Sequence, residues 1–171
     1  SNHWLFGVDL SIDDHDIEAF SRVEKADGQV TPLTQPGSQT LNSQAYYLQW
    51  LAKWEVGFDT IFGYRHDHSE VYRSEDSIRL GLVYPLSDKH SLKLLYGSSF
   101  QAPSPELLYR RPIQRGDLIG NADLDPQQAK TIELVAAGTF GANIRYTATL
   151  YHSKVDDLVV YRDDVSNLAA V

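Results

Sequence analysis

The sequence contains no cysteine and no methionine. Without cysteine there is neither a disulfide framework nor a thiolate metal site. Methionine is missing even at position 1, so the chain is not expected to begin where a reading frame begins, and Ser1-Asn2 is set aside as a tag remnant. Long apolar runs are missing as well. Nothing approaches the roughly 20 residues of a transmembrane helix, and no signal peptide heads the chain. A β-barrel shows neither feature, so the membrane stays open. Cations are scarce: 15 Lys and Arg stand against 23 Asp and Glu, for a formal charge of −8. A surface that acidic lacks the basic stripe a nucleic-acid partner requires.

Catalytic signatures are absent from the residues. There is no glycine-rich phosphate cradle, no Gly-x-Ser-x-Gly elbow and no zinc-protease helix. Asp156 and Asp157 fall on opposite faces of a strand, poor geometry for paired acid–base work. The expectation is a protein that is not an enzyme, with no catalytic residue, no cofactor and no metal site.

What is present is alternation. Hydrophobic residues make up 42% and charged residues 22%, which excludes disorder, and 11% aromatics favour strands. Seven segments follow a period of 2. One face carries Trp4, Phe6, Val8 and Leu10; then Tyr46, Leu48 and Trp50; then Val56, Phe58, Phe62 and Tyr64. Next come Ile78, Leu80, Leu82 and Tyr84; Leu92, Leu94 and Tyr96; Ile132, Leu134 and Ala136; and Ile144, Tyr146, Ala148 and Leu150. The opposite face carries Asp59, Arg79, Lys93, Glu133 and Arg145 at mid-strand. No helix of normal length is expected.

The connections alternate between long and short. A long acidic loop spans about Ser11 to Ser43, a tight turn lies near Lys53-Trp54, and a moderate loop covers His66 to Ser74. A short Pro85–His90 turn, the long Gln101–Gln127 segment and a short turn at Thr139–Ala142 follow. In an antiparallel meander this gathers every long connection on one rim. A soluble sandwich and a lipid-facing barrel both alternate, so the pattern by itself leaves both open. Loop segregation, charges at mid-strand and aromatics near strand ends (Trp4, Tyr46, Trp50, Trp54, Tyr64, Tyr84, Tyr96 and Tyr146) favour the barrel.

"LKLLYGSSFQAPSPELLY", then "IGNADLDPQQAKTIELVAAG" and "ATLYHSKVDDLVVY", resemble the barrel of TonB-dependent outer-membrane receptors in order and spacing from Leu92 to Tyr161. Gln101, Ala122 and Gln127 depart from that family's usual Arg, Pro and Glu. The prolines Pro103 and Pro105 end the pairing of the preceding strand, Gly120-Asn121 is expected to turn the loop back at positive φ, and "VDDLVVYRDD" is expected to carry its strand beyond the bilayer. The resemblance implies an all-β, antiparallel up-and-down meander: a partial transmembrane β-barrel of about seven strands with long loops on one rim. It also implies that residues 1–171 are a fragment of a single barrel domain of about 22 strands, with the plug domain and C-terminal strands missing.

The implied function is active uptake of a scarce metal chelate (siderophore-bound iron, haem or cobalamin) across the outer membrane of a Gram-negative bacterium, energised by TonB through the missing plug. Outer-membrane lipid and lipopolysaccharide are implied partners, nucleic acid is not, and an isolated fragment is expected to self-associate through its open edges. A soluble carbohydrate-binding or adhesion β domain and a passive porin are the alternatives. Arg110, Arg111 and Arg115 in "YRRPIQRGD" are the candidate ligand-binding residues, suited to an anionic chelate or to lipid phosphates by bidentate pairing. His66 and His68 could share a metal but read better as a polar loop tip, and His15 within "DDHD" as part of a solvated acidic loop.

Overall fold

Alternating segments joined by short turns satisfy their backbone groups most simply by pairing each strand with its chain neighbour. The computed structural model describes residues 1–16, 20–23, 26–33, 38–112, 118–141 and 143–160. Its elements are β1 (Asn2–Asp16), β2 (Phe20–Val23), β3 (Val30–Leu33), β4 (Ser38–Lys53), β5 (Asp59–Ser69), β6 (Glu75–Ser87), β7 (His90–Gln101), α1 (Pro105–Tyr109), β8 (Gln127–Phe140) and β9 (Ile144–Asp156). Seven strands form one antiparallel sheet in the order β1-β4-β5-β6-β7-β8-β9, and β2 pairs with β3 as a separate hairpin. The meander and its loop segregation are as expected from the sequence.

Several boundaries differ. β1 and β4 run on through the expected acidic loop, pairing from Asn2↔Ala52 to Asp16↔Ser38 without a shift. A polar ribbon in water still satisfies its backbone by pairing, so loss of apolar alternation does not end it. Ser1 and Asn2, excluded above, belong to this ladder: Lys53 N–H donates to Ser1 O at 2.9 Å. Glu55–Phe58, read as strand, form the β4–β5 turn. Gly57 at φ 90° reverses the chain, and Trp54 N–H donates to Phe58 O at 3.0 Å. β9 stops at Asp156 rather than running on, because Asp157 takes φ 55°.

The two faces separate cleanly. Rows such as Phe6, Leu48, Tyr64 and Ile78 lie in register on one face. Much of this face lies open: Phe6 is 81% exposed and Leu150 72%. Among the described residues the buried apolar side chains are only Ala45, Ala52, Pro103, Leu108 and Pro126, so the apolar face is a surface in search of an apolar solvent.

Aromatics border that face at the short-turn end. Trp4 stacks on Trp50 at 5.4 Å, Trp54 meets Trp50 edge-on, and Phe140 stacks on Tyr146 at 4.8 Å. Tyr96 is the exception to the girdle reading, since it sits mid-strand between Leu80 and Ile132. At the other border the last large apolar residues are Tyr46, Tyr64, Ile78, Phe100, Ile132 and Leu150 on β4 to β9, Phe100 reaching above the line of its neighbours. In register terms that edge descends six residues over five strand-to-strand steps. With ordinary strand spacing and rise, a level edge then means strands inclined by roughly 40°, the tilt of membrane barrels.

The long β7–β8 connection is itself folded. Ser104 caps α1, its Oγ accepting from Leu107 N–H at 3.3 Å, and Pro105 opens the helix where no backbone donor is needed. Leu108 is buried beneath it. The chain returns with Gly120 N–H donating to Arg110 O and Asn121 N–H to Leu107 O, both at 2.8 Å. Neither Gly120 nor Asn121 has the positive φ expected of it. Glycine is needed for a different reason: a Cβ at 120 would lie 2.6 Å from Arg110 N and 2.8 Å from Leu108 O, both backbone atoms.

Two outcomes follow for a barrel carrying this segment in a bilayer. Because the chain lacks cysteine, single-cysteine variants report cleanly on each face. Lys93→Cys and Glu133→Cys should react with a water-soluble maleimide several-fold faster than Leu94→Cys, Leu134→Cys and Leu150→Cys; equal rates would dissolve the lipid-facing assignment. Gly120→Ala should destabilise the connection by about 1–3 kcal/mol, read as faster amide exchange across 104–124 with the strands unchanged.

Candidate functional site

The polar face and the rim of long connections carry the groups able to meet a solute. On the polar face a cavity of about 410 Å³ is lined by Gln49, Ile61, Gly63, Arg79, Leu80, Gly81, Leu95, Tyr96, Gly97, Thr131 and Glu133. Its shape follows from register. Arg79 stands between Gly63 and Gly97, so no side chain flanks its stem on either neighbouring strand. Gly81, two residues on, lowers the floor beside Leu95. A wide shallow trough with one guanidinium and one carboxylate on its walls suits a polar solute or a complementary protein surface.

Nearer the rim, Arg65 reaches across β4. Its Nε lies 3.0 Å from both Asp67 carboxylate oxygens and its Nη1 pairs with Asp9, so one guanidinium ties β5 to β1. Beside it the Tyr47 ring lies over Gly7, filling the space that a side chain there would take. Sequence reading passed over this cluster, because Asp9 and Arg65 meet only through the register of an intervening strand.

The rim is knitted to the sheet. Gln128 Nε2 donates to Glu75 Oε2 at 2.8 Å, and burial pushes the Glu75 carboxyl above the usual carboxylate range. Tyr72 meets Phe100 with ring centroids 6.1 Å apart, and Arg73 lies 4.0 Å from Asp125. The connection after β5 and the one after β7 are thus held against each other.

The expected site residues fall as follows. Arg110 caps the C-terminal end of α1 and pairs with Glu106 one turn back, and Arg111 follows it, exposed, on the same rim. Arg115 lies outside the described residues. His66 and His68 are each engaged locally. His66 Nδ1 is 2.8 Å from Asp76 Oδ1, and His68 Nδ1 is 2.8 Å from Ser74 Oγ. The His66 contact, joined by the Tyr64 hydroxyl, holds the Asp76 carboxyl below the usual range. Among the described residues no three ligating side chains gather for a metal.

Comparison with known proteins agrees with this geometry. The family described as TonB dependent receptor-like, beta-barrel, matches residues 1–170. The vitamin B12 transporter BtuB of Vibrio cholerae serotype O1 is 31% identical over 123 residues, covering 72% of this chain and 18% of the transporter. The same transporter of Vibrio vulnificus is 30% identical over 97 residues, 57% of this chain and 14% of that protein. Among solved structures, the siderophore receptor PirA from Acinetobacter baumannii superposes with a TM-score of 0.72 at 16% identity. That match covers 90% of this chain and 24% of the receptor, and it speaks to the fold. The chain therefore spans about a fifth of the length of its relatives. With a family match across almost all of its residues and an open antiparallel meander whose apolar side faces out, the chain belongs to the TonB-dependent receptor β-barrel family.

Proposed function

We propose that this segment is a stretch of wall and mouth in an outer-membrane active-transport receptor that takes up a scarce metal chelate and is energised through TonB. The observation that carries the reading is an apolar outer face combined with long connections gathered on one rim and folded against each other. Outer-membrane barrels place short turns on the periplasmic side and long loops outside, which sets α1 and the folded connections at the external mouth and the Arg79–Glu133 trough in the lumen. The relatives' names span cobalamin and siderophore. The substrate is therefore best stated as a chelate of that size and polarity. The plug that would meet TonB and the remaining strands belong, on this reading, to other parts of the receptor. In water the isolated chain pairs its β1 and β9 edges with other copies, since long free edges template pairing.

Arg110 and Arg111 are proposed to face an anionic group on the ligand, with Arg115 near them in sequence. Their position on the rim beside α1 and their fork geometry support this role. In cells carrying the complete receptor, Arg110→Ala/Arg111→Ala should weaken binding of the transported chelate by roughly tenfold, while receptor level and heat-modifiable migration stay unchanged. Uptake of radiolabelled cobalamin or ferric siderophore should cease when TonB is deleted. Uptake that persists without TonB points instead to a passive pore, and unchanged affinity in the double variant removes the arginines from the site.

A further inference from the structure

The charge on the apolar face is unevenly placed. Among the described residues of the seven strands, Lys53, Arg65, Arg79, Lys93 and Arg145 fall on the polar face by register. Only Lys130 and Lys154 share the apolar face, and they stand directly opposite each other on β8 and β9. Like charges facing across an antiparallel pair destabilise it. An anion stands beside them: Lys154 Nζ lies 2.6 Å from Asp156 Oδ1, two residues along the same face. Lys130 is near enough to add to the same carboxylate's preference for its charged form, after Lys154. Two ammonium groups therefore share one carboxylate, leaving a net positive charge in a chain whose overall charge is −8.

Their height is informative. On β8 the next residue of that face toward the short turns is Ile132, and on β9 the face passes from Leu150 through His152 to Lys154. On their own strands the lysines thus lie just past the last large apolar residue, on the long-connection side, and Phe100 of neighbouring β7 stands one face position beyond Lys130. A ligand binding there has apolar wall on one side and cations on the other.

We propose that Lys130 and Lys154 form a docking site for the phosphate of a membrane-lipid headgroup, with the acyl chains lying along the Ile132–Leu134 and Leu150 wall. The inference rests on the outer-membrane reading above. A phosphate monoester carries about −1.5 to −2 charges, enough to neutralise the pair, and its oxygens accept from both ammonium groups at once. The apolar wall selects a lipid-borne phosphate over the free ion, since only an amphiphile uses both parts of the surface.

The test uses the complete receptor in neutral detergent, titrated with diphosphoryl lipid A, with dephosphorylated lipid A and with inorganic phosphate, retention being counted by native mass spectrometry. Lys130→Gln/Lys154→Gln should retain diphosphoryl lipid A roughly tenfold or more weakly. Each single variant should fall between, and Lys93→Gln on the polar face should match the unmodified receptor. Dephosphorylated lipid should bind equally to all. Unchanged retention in the double variant overturns the site, as does an equal loss of the dephosphorylated lipid, which would mean simple packing of the lysine stems. Displacement by inorganic phosphate at matched concentration overturns the lipid assignment. Heat-modifiable migration and TonB-dependent uptake, read in parallel, report on the receptor itself, so a failed barrel is distinguished from a failed lipid site.

Discussion

The structure depends on one constraint: backbone hydrogen bonds must be satisfied between strands, because hydrocarbon offers no other partner. Each sheet strand pairs with the next sheet strand in the chain, and register is held along nearly every ladder. The described shift, between Pro85 and Ser87, lies beside a short turn and outside the apolar stretch. Continuity matters because a slip of a single residue would exchange the faces, placing Arg79 and Glu133 against lipid and Leu80 and Ile132 in the lumen. The side-chain pattern and the ladder reinforce one another, and the inclined apolar edge follows from both.

Once the faces are assigned, the remaining features divide between them. Small residues serve the inner face, where Gly63, Gly81 and Gly97 open a trough and leave Arg79 with clear flanks. Large residues serve the outer face, where bulk costs nothing as long as lipid is there to receive it. With few buried apolar side chains among the described residues, the fold takes its stability from the ladders and from the solvent on its outer side rather than from a central core. The rim of long connections is built differently again. There the chain buries Leu108 and Pro126 within its own connection and ties its backbone with the Arg110–Gly120 and Leu107–Asn121 bonds. A connection folded in this way holds Arg110 at a defined position, at the C-terminal end of α1.

Much of this was legible beforehand because period-2 alternation is a local property that each strand writes independently. The order of strands, the two faces and the rim of long connections were all read from residues separated by two, or from connection lengths. The start of α1 was not read: Ser104, Pro105 and Glu106 are a cap, a first-turn proline and a first-turn acid, but a helix of five residues falls below the length at which periodicity shows, and the prolines registered only as the end of a strand. Val56 and Phe58 misled because alternation continued by chance into a turn that Gly57 makes possible. The Asp9–Arg65–Asp67 cluster and the Lys130–Lys154 pair were out of reach, since each joins residues whose proximity is a matter of register.

By itself, then, the sequence determined the strand pattern, the segregation of loops and the resemblance that places the chain among receptor barrels, because these follow from short-range periodicity and ordered motifs. Tertiary structure alone decided which charges meet across strands, where β1, β4 and β9 end, why position 120 must be glycine, and at what level the lysines stand against the apolar edge. Those are properties of distances between strands, and a one-dimensional pattern does not contain them.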